Sequence, residues 1–294
     1  PVDGTIEVFG GVVDAYTMTE AVKDGITVNL VYDGRAAKVM LNQDKVRQIE
    51  EYYAQCELEG ANEHQVEESQ KAVAKMEVII GDPDRLRAVA EDFIKHYETR
   101  VAEGATVAGK AMFVCSNRNI AYDFYKIVKE LRPKWTEKKI CDDGVVLSEK
   151  DKKELKPMEK IKLVMTRNKD DEKDLFDMLG TKEDRKEFDR QFKNPKSNFK
   201  IAIVVDMWLT GFDVPELDTI YIDKPIQQHT LIQTISRVNR VCEGKDKGLI
   251  VDYIGIKKNM NTALKKYTNF ESEEFEGVEQ SITCLLYTSD AADE

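Results

Sequence analysis

Two short stretches carry the residues best suited to chemistry. The first is Thr210-Gly211-Phe212-Asp213-Val214-Pro215, which follows an apolar run ending at Val204-Val205-Asp206. A glycine at the C-terminal end of a parallel strand lets backbone approach a phosphate or a ribose. Asp213 is placed to accept hydrogen bonds from ribose hydroxyls. The second stretch is Gln233-Thr234-Ile235-Ser236-Arg237-Val238-Asn239-Arg240. On a helix, Gln233, Arg237 and Arg240 stand at i, i+4 and i+7 and share one face. Arginine keeps its charge, and its fork matches phosphate oxygens. Two of them beside a Gly-Asp loop predict a site for a triphosphate. Either stretch alone is weak, since Arg-x-x-Arg is more often a solvated helix face. Both together, in this order and spacing, have few bland explanations.

Such residues need a frame. Short apolar runs read as buried strands: Ala111–Cys115, Ile161–Met165, Lys200–Val205, Thr219–Asp223 and Lys247–Tyr253. Between them the pattern is helical: Ser116-Asn117 onward to about Leu131 with Pro133 as the stop, then Asp171–Gly180, Thr181–Phe192 and Thr230–Val241. Strands alternating with helices predict an α/β fold, a parallel sheet with helices on both faces. Trp135–Lys160 is charged and irregular and reads as an excursion from that sheet. Upstream, Ile6–Phe9, Thr27–Val31 and Lys38–Leu41 read as short extended segments, and Asp44–Glu103 as mostly helical. Asp82 is the expected N-cap and Pro83 the first residue of a helix over Asp84–Ala102. The expected organisation is a connector of short strands and helices over 1–104, an α/β domain over 105–256, and the start of a helical region over 257–284. The last ten residues, 285–294, continue no pattern and read as a non-native tail.

The chain has 294 residues, 41% hydrophobic and 34% charged, which suits a water-soluble protein with a sizeable core. Its apolar runs are too short to span a bilayer, and the N-terminus is no signal peptide. Residue 1 is Pro rather than Met, so the chain is expected to begin inside a longer gene product. Five scattered cysteines and three histidines argue against a metal site or a disulfide framework and fit a reducing cytoplasm. The net charge of −11 disfavours nucleic acid as a whole-molecule number, though a local basic track can coexist with acidic faces elsewhere.

Residues 206–215 resemble motif V, and 233–240 motif VI, of superfamily 2 helicases and translocases. The variants Thr-Gly-Phe-Asp-x-Pro and Gln-x-x-Ser-Arg-x-Asn-Arg resemble in particular the restriction (motor) subunit of type I restriction enzymes. Asp223-Lys224-Pro225, Lys247–Gly255 and the N-terminal Val8-Phe9-Gly10, Tyr16 and Tyr32…Arg35 agree with that resemblance, which runs from about residue 5 to about residue 260. It implies a second RecA-like motor domain, with Arg240 as arginine finger, Arg237 as its companion at the γ-phosphate, and Gln233, Gly211 and Asp213 facing ATP. Phe113–Arg118 takes the place of motif IV. Ser116, Asn117 and Arg118 are then expected to hold a DNA phosphate, with plain helix capping as the alternative, and Thr210 is a further phosphate contact. The chain departs at Val205, where many relatives carry Thr.

The resemblance further implies ATP and Mg²⁺ as cofactors of the intact motor. The implied partners are double-stranded DNA, modification (methyltransferase) and specificity subunits, and upstream nuclease and first motor domains, with no membrane. No Gly-x-x-x-x-Gly-Lys-Ser/Thr loop, Asp-Glu-x-His box or nuclease triad occurs in the sequence. These residues alone are therefore expected to be inactive. Two other readings remain: a generic superfamily 2 helicase or repair translocase, and a non-catalytic interaction module with relic motor motifs. A small-molecule enzyme on a doubly wound sheet would want a Gly-rich first turn, which is missing.

Overall fold

A computed structural model of the chain describes residues 18–36, 76–226 and 228–256. The segments expected at 6–9 and 38–41, the helical pattern over 44–75, and the regions from 257 onward lie outside the described residues.

The sheet has six strands, all parallel: β1 (Asn29–Gly34), β2 (Lys110–Cys115), β3 (Ile161–Val164), β4 (Ile201–Val204), β5 (Leu217–Asp223) and β6 (Lys247–Asp252). Their spatial order is β1-β6-β5-β2-β4-β3. β2, β3, β4 and β5 are buried along their whole length, as continuous apolar runs in a parallel sheet require. β1 comes from the stretch read as connector, yet it forms the sheet edge, with Asn29 paired to Lys247 and Gly34 to Asp252.

The helices are α1 (Met18–Lys23), α2 (Pro83–Ala102), α3 (Arg118–Leu131), α4 (Glu149–Glu154), α5 (Lys173–Leu179), α6 (Lys182–Lys193) and α7 (Gln228–Ile235). Asp82 caps α2 by accepting from Arg85 N, with Pro83 opening the helix as its fixed φ favours. Alternation along β2 sorts the layers. Phe113 points to one face, where it meets Phe93 of α2 edge-on at 5.1 Å and stacks on Phe124 of α3 at 4.0 Å. Lys110 points to the other face, over the Phe192 ring of α6 at 5.0 Å. Right-handed crossovers demand this split, because the chain moves across the sheet in opposite directions through the α2–α3 and the α6–α7 connections. Residues 135–160 form the expected excursion, a loop carrying α4 and one antiparallel bridge between Lys139 and Met158. Among the described residues no helix is long and apolar enough to cross a membrane.

The helix expected over Thr230–Val241 is shorter, and this is a correction. α7 stops at Ile235, and Arg237 and Arg240 lie in the turn beyond it rather than on a helical face. Thr234 and Ser236 turn their hydroxyls back onto the carbonyls of Thr230 and Ile232 at 2.7 and 2.6 Å. The backbone then tightens, with Arg237 N on Thr234 O and Val238 N on Ile235 O. The segment before β1 captures the end of this turn: Val28 N donates to Asn239 O, and Thr27 pairs antiparallel with Arg240.

Candidate functional site

All strands point the same way, so the loops after β2, β3, β4 and β5 begin at one edge, while the segment after β4 runs back without a helix to the start of β5 at the opposite edge, where Arg240 pairs with Thr27 just ahead of β1. The loop after β4 carries Thr210, Gly211 and Asp213, all exposed. Gly211 has φ +67 with open space where a side chain would sit, so glycine is needed here for conformation rather than for room. Phe212 is buried beneath and stacks on Trp208 at 4.1 Å with the rings nearly parallel. Trp208 is thus packing, and its own positive φ of 68 shows how sharply the loop turns.

Both arginines reach this loop. Arg237 donates from Nη1 to Phe212 O at 2.5 Å and from Nε to Gln233 O at 3.0 Å. Arg240 pairs through Nε with Asp213 Oδ1 at 3.3 Å, both side chains about half exposed. Loss of the helical face therefore does not separate the groups; the turn delivers both guanidinium groups to the Gly-Asp loop. Burial, and next the positive charge of Arg240, push the pKa of Arg237 down, while Asp213 opposes the fall. Two like charges are thus held close on a loop with exposed backbone. Gln233 lies in the last turn of α7, half-buried.

Ser116, Asn117 and Arg118 sit at the end of β2, at the C-terminal edge of the sheet, each with internal partners. Ser116 Oγ donates to Asp223 O at 2.9 Å. Asn117 caps α3 by accepting from Ile120 N at 3.0 Å, and its amide donates to Glu77. Arg118 donates to Thr166 O and pairs with Asp171 at 2.5 Å, tying α3 to the loop after β3.

Several residues to which the sequence assigns no role fix these loops and strands. Arg85 and Asp223 form a bidentate pair with side chains 1% and 0% exposed, and Arg85 also donates to Ile80 O and Tyr253 O. Lys224 donates to Val205 O at 3.0 Å and pairs with Asp206 at 2.5 Å. Lys245 donates to Pro215 O and Leu217 O, holding the exit of the Gly-Asp loop; burial pushes its pKa down to about 8. The stretch Gly104…Gly109-Lys110-Ala111 approaches phosphate-loop spacing, but it enters a strand rather than a helix. Its Lys110 ammonium is buried on Phe199 O at 2.6 Å, so it holds no phosphate.

The donor set is guanidinium groups and backbone, which suits phosphate oxygens rather than a metal. Among the described residues no group of three His, Cys, Asp or Glu stands ready to hold a metal ion. The fold defines the class: a RecA-like α/β domain on an all-parallel sheet. Residues 107–255 match the family model described as type I restriction enzyme subunit R domain 3. A SWI2/SNF2 ATPase model matches residues 2–67. The HindI endonuclease subunit of a type I restriction enzyme from Haemophilus influenzae is 36% identical over 268 residues, 90% of this chain and 23% of that protein. The MjaIXP endonuclease subunit of Methanocaldococcus jannaschii is 36% identical over 267 residues, again 90% and 23%. A solved fragment assigned to an HsdR subunit from Vibrio vulnificus YJ016 superposes with a TM-score of 0.53 at 13% identity, covering 92% of this chain and 40% of that one. The chain belongs to the type I restriction enzyme R (endonuclease) subunit family, and it spans about a quarter of the length of the curated relatives it matches.

Proposed function

We propose that these residues are the second motor domain, roughly 105–256, of an ATP-dependent, DNA-translocating restriction subunit. The observation that carries this reading is the convergence of Arg237 and Arg240 on the Gly211–Asp213 loop, where the chain runs from the end of β4 to the start of β5. A phosphate seated there relieves the repulsion between the two guanidinium groups and gains charge-assisted hydrogen bonds. ATP then lies between this loop and a first motor domain, which supplies the phosphate loop and holds Mg²⁺. Mg²⁺ held by that first domain would supply neutralisation of charge on the phosphates. Arg240 leaves its weak pair with Asp213 and acts as the finger on the γ-phosphate; Arg237, braced on Phe212 O and Gln233 O, stands beside it. Asp213 accepts from the ribose, and Gln233 orients the arginines. Ser116, Asn117, Arg118 and Thr210 face the backbone of duplex DNA, using the exposed N–H groups at the start of α3. Opening and closing of the two domains steps the duplex. The modification and specificity subunits, the upstream nuclease and a cytoplasmic location complete the assignment, and the chain by itself hydrolyses no ATP.

The test joins this chain to an upstream first motor domain and measures DNA-stimulated ATPase. Arg240→Ala is expected to lower turnover by about three to five decades, the usual worth of an arginine finger. Its stability should stay within about 1 kcal/mol of the parent, because the Arg240–Asp213 pair is solvated. ATPase near the parental rate in Arg240→Ala refutes the assignment.

A further inference from the structure

We propose that Lys224 is a positioning residue that clamps the nucleotide-facing loop after β4 to the DNA-facing loop after β2. This rests on the motor reading above. β5 and β4 are not neighbours in the sheet; β2 lies between them. Lys224, at the end of β5, therefore reaches across the mouth of β2 to meet the end of β4. There its ammonium donates to Val205 O at 3.0 Å and pairs with Asp206 at 2.5 Å. The preceding residue, Asp223, accepts from Ser116 Oγ at 2.9 Å on its carbonyl, so two adjacent residues at the end of β5 hold both flanking loops. The anchor is rigid, since the Asp223 carboxylate is fixed by the buried fork of Arg85 on α2.

The two bonds of Lys224 differ in what they do. The Asp206 side chain is 82% exposed, and an ion pair so open to water is worth little. The bond to Val205 O fixes backbone at the point where β4 turns into the loop that receives Arg237 and Arg240. Val205 has no hydroxyl with which to reach DNA itself. Movement of the β2 loop on DNA therefore reaches the nucleotide loop through the Asp223-Lys224 step. A residue with this role affects how strongly DNA stimulates hydrolysis, not how tightly DNA is bound.

The experiment uses the full-length subunit assembled with its modification and specificity subunits, carrying Lys224→Met, Lys224→Arg or, as control, Arg240→Ala. ATPase is measured at saturating ATP with and without cognate duplex, together with DNA affinity and the melting temperature. Lys224→Met is expected to cut the DNA stimulation about tenfold, as for loss of one charge-assisted bond made in the coupled state, with DNA affinity and melting unchanged. Lys224→Arg is expected to restore most of the stimulation. Stimulation at the parental level in Lys224→Met overturns the proposal. So does a fall in DNA affinity that matches the fall in stimulation, which would make Lys224 a direct phosphate contact. Equal loss in both variants with lowered melting also overturns it, as a plain folding role. Hydrolysis at the parental rate in Arg240→Ala would instead sink the nucleotide-site reading on which the proposal stands.

Discussion

Asp223→Asn changes one atom type at a fully buried charge. Arg85 and Asp223 are 1% and 0% exposed, and two bonds join them, Nη1 to Oδ2 at 3.1 Å and Nη2 to Oδ1 at 2.5 Å. The substitution keeps the shape and removes the charge. One oxygen still accepts, but the new amide faces a guanidinium nitrogen donor to donor. Arg85 is left as a buried cation with only neutral acceptors, the remaining amide oxygen and the carbonyls of Ile80 and Tyr253, and its Nε already lacks a partner. Stranding one member of a buried pair costs about 3–5 kcal/mol. At about 2–4 °C per kcal/mol for a domain of this size, the melting temperature should fall by about 6–20 °C. Urea unfolding of the chain at constant m-value reads the same quantity. The apolar double variant Arg85→Met/Asp223→Leu should sit far nearer the parent than the sum of its singles, because it leaves no orphaned charge. A loss below about 1 kcal/mol in Asp223→Asn, the value for a solvated pair, would refute the claim that this pair ties α2 to the ends of β5 and β6.

Burial, reinforced by the Arg35 charge, pushes His96 from 6.5 down to about 4 beside the Tyr221 hydroxyl. The unfolded chain takes up a proton that the folded one refuses, so stability should fall by about 3 kcal/mol as pH drops from 6.5 to about 4. His96→Gln should flatten that part of the pH profile in urea titrations. Gly248→Ala would drive a Cβ into Val238 O, forcing β6 away from the arginine turn; unfolding should show a loss of about 1–3 kcal/mol or more. Asn117→Ala removes the α3 cap and should cost about 1 kcal/mol in the same assay. If Asn117 also holds a phosphate, the parent subunit carrying this change loses DNA affinity uniformly across sequences; unchanged affinity would leave it a cap alone.

The strands could be read from the sequence because a doubly covered parallel sheet needs unbroken apolar runs, and Ile201-Ala202-Ile203-Val204 is such a run. The start of α2 was equally open, since Asp82 and Pro83 act on the backbone within three residues. The end of α7 was not. Local periodicity favours continuing the helix through Arg240, but it is stopped by Val28 and Thr27, some two hundred residues earlier, which pair with Asn239 and Arg240. Gly248 permits the close approach of Val238 that this turn needs. Nor was Arg85 visible: in sequence it is one of several charges on an amphipathic helix, and only a partner 138 residues away makes it core. The contacts of Lys224 and Lys245 were hidden for the same reason, since Val205 O, Pro215 O and Leu217 O are backbone carbonyls that leave no trace in residue types. Gly211, Asp213, Arg237 and Arg240 still come together without the helical face, because the turn after α7 and the segment from β4 to β5 meet beside the starts of β1 and β6.

The arginine site also bears on how an acidic chain would take the anionic ligand proposed for it. The net charge of −11 sets the far field, which salt screens within about 10 Å. At the site the balance is local and positive: two guanidinium groups face one carboxylate, and the carboxylate is held weakly. Arg237 is the costly member, since burial and Arg240 both disfavour its charge. Its Phe212 and Gln233 carbonyl partners orient it without neutralising it. Arg240 is the movable member, half exposed and tied only by a pair worth about 0–1 kcal/mol. Swinging Arg240 from Asp213 to a phosphate thus costs little and frees Asp213 to accept from a sugar. One weak ion pair keeps both groups together, and a single nucleotide has the chemistry to satisfy both at once.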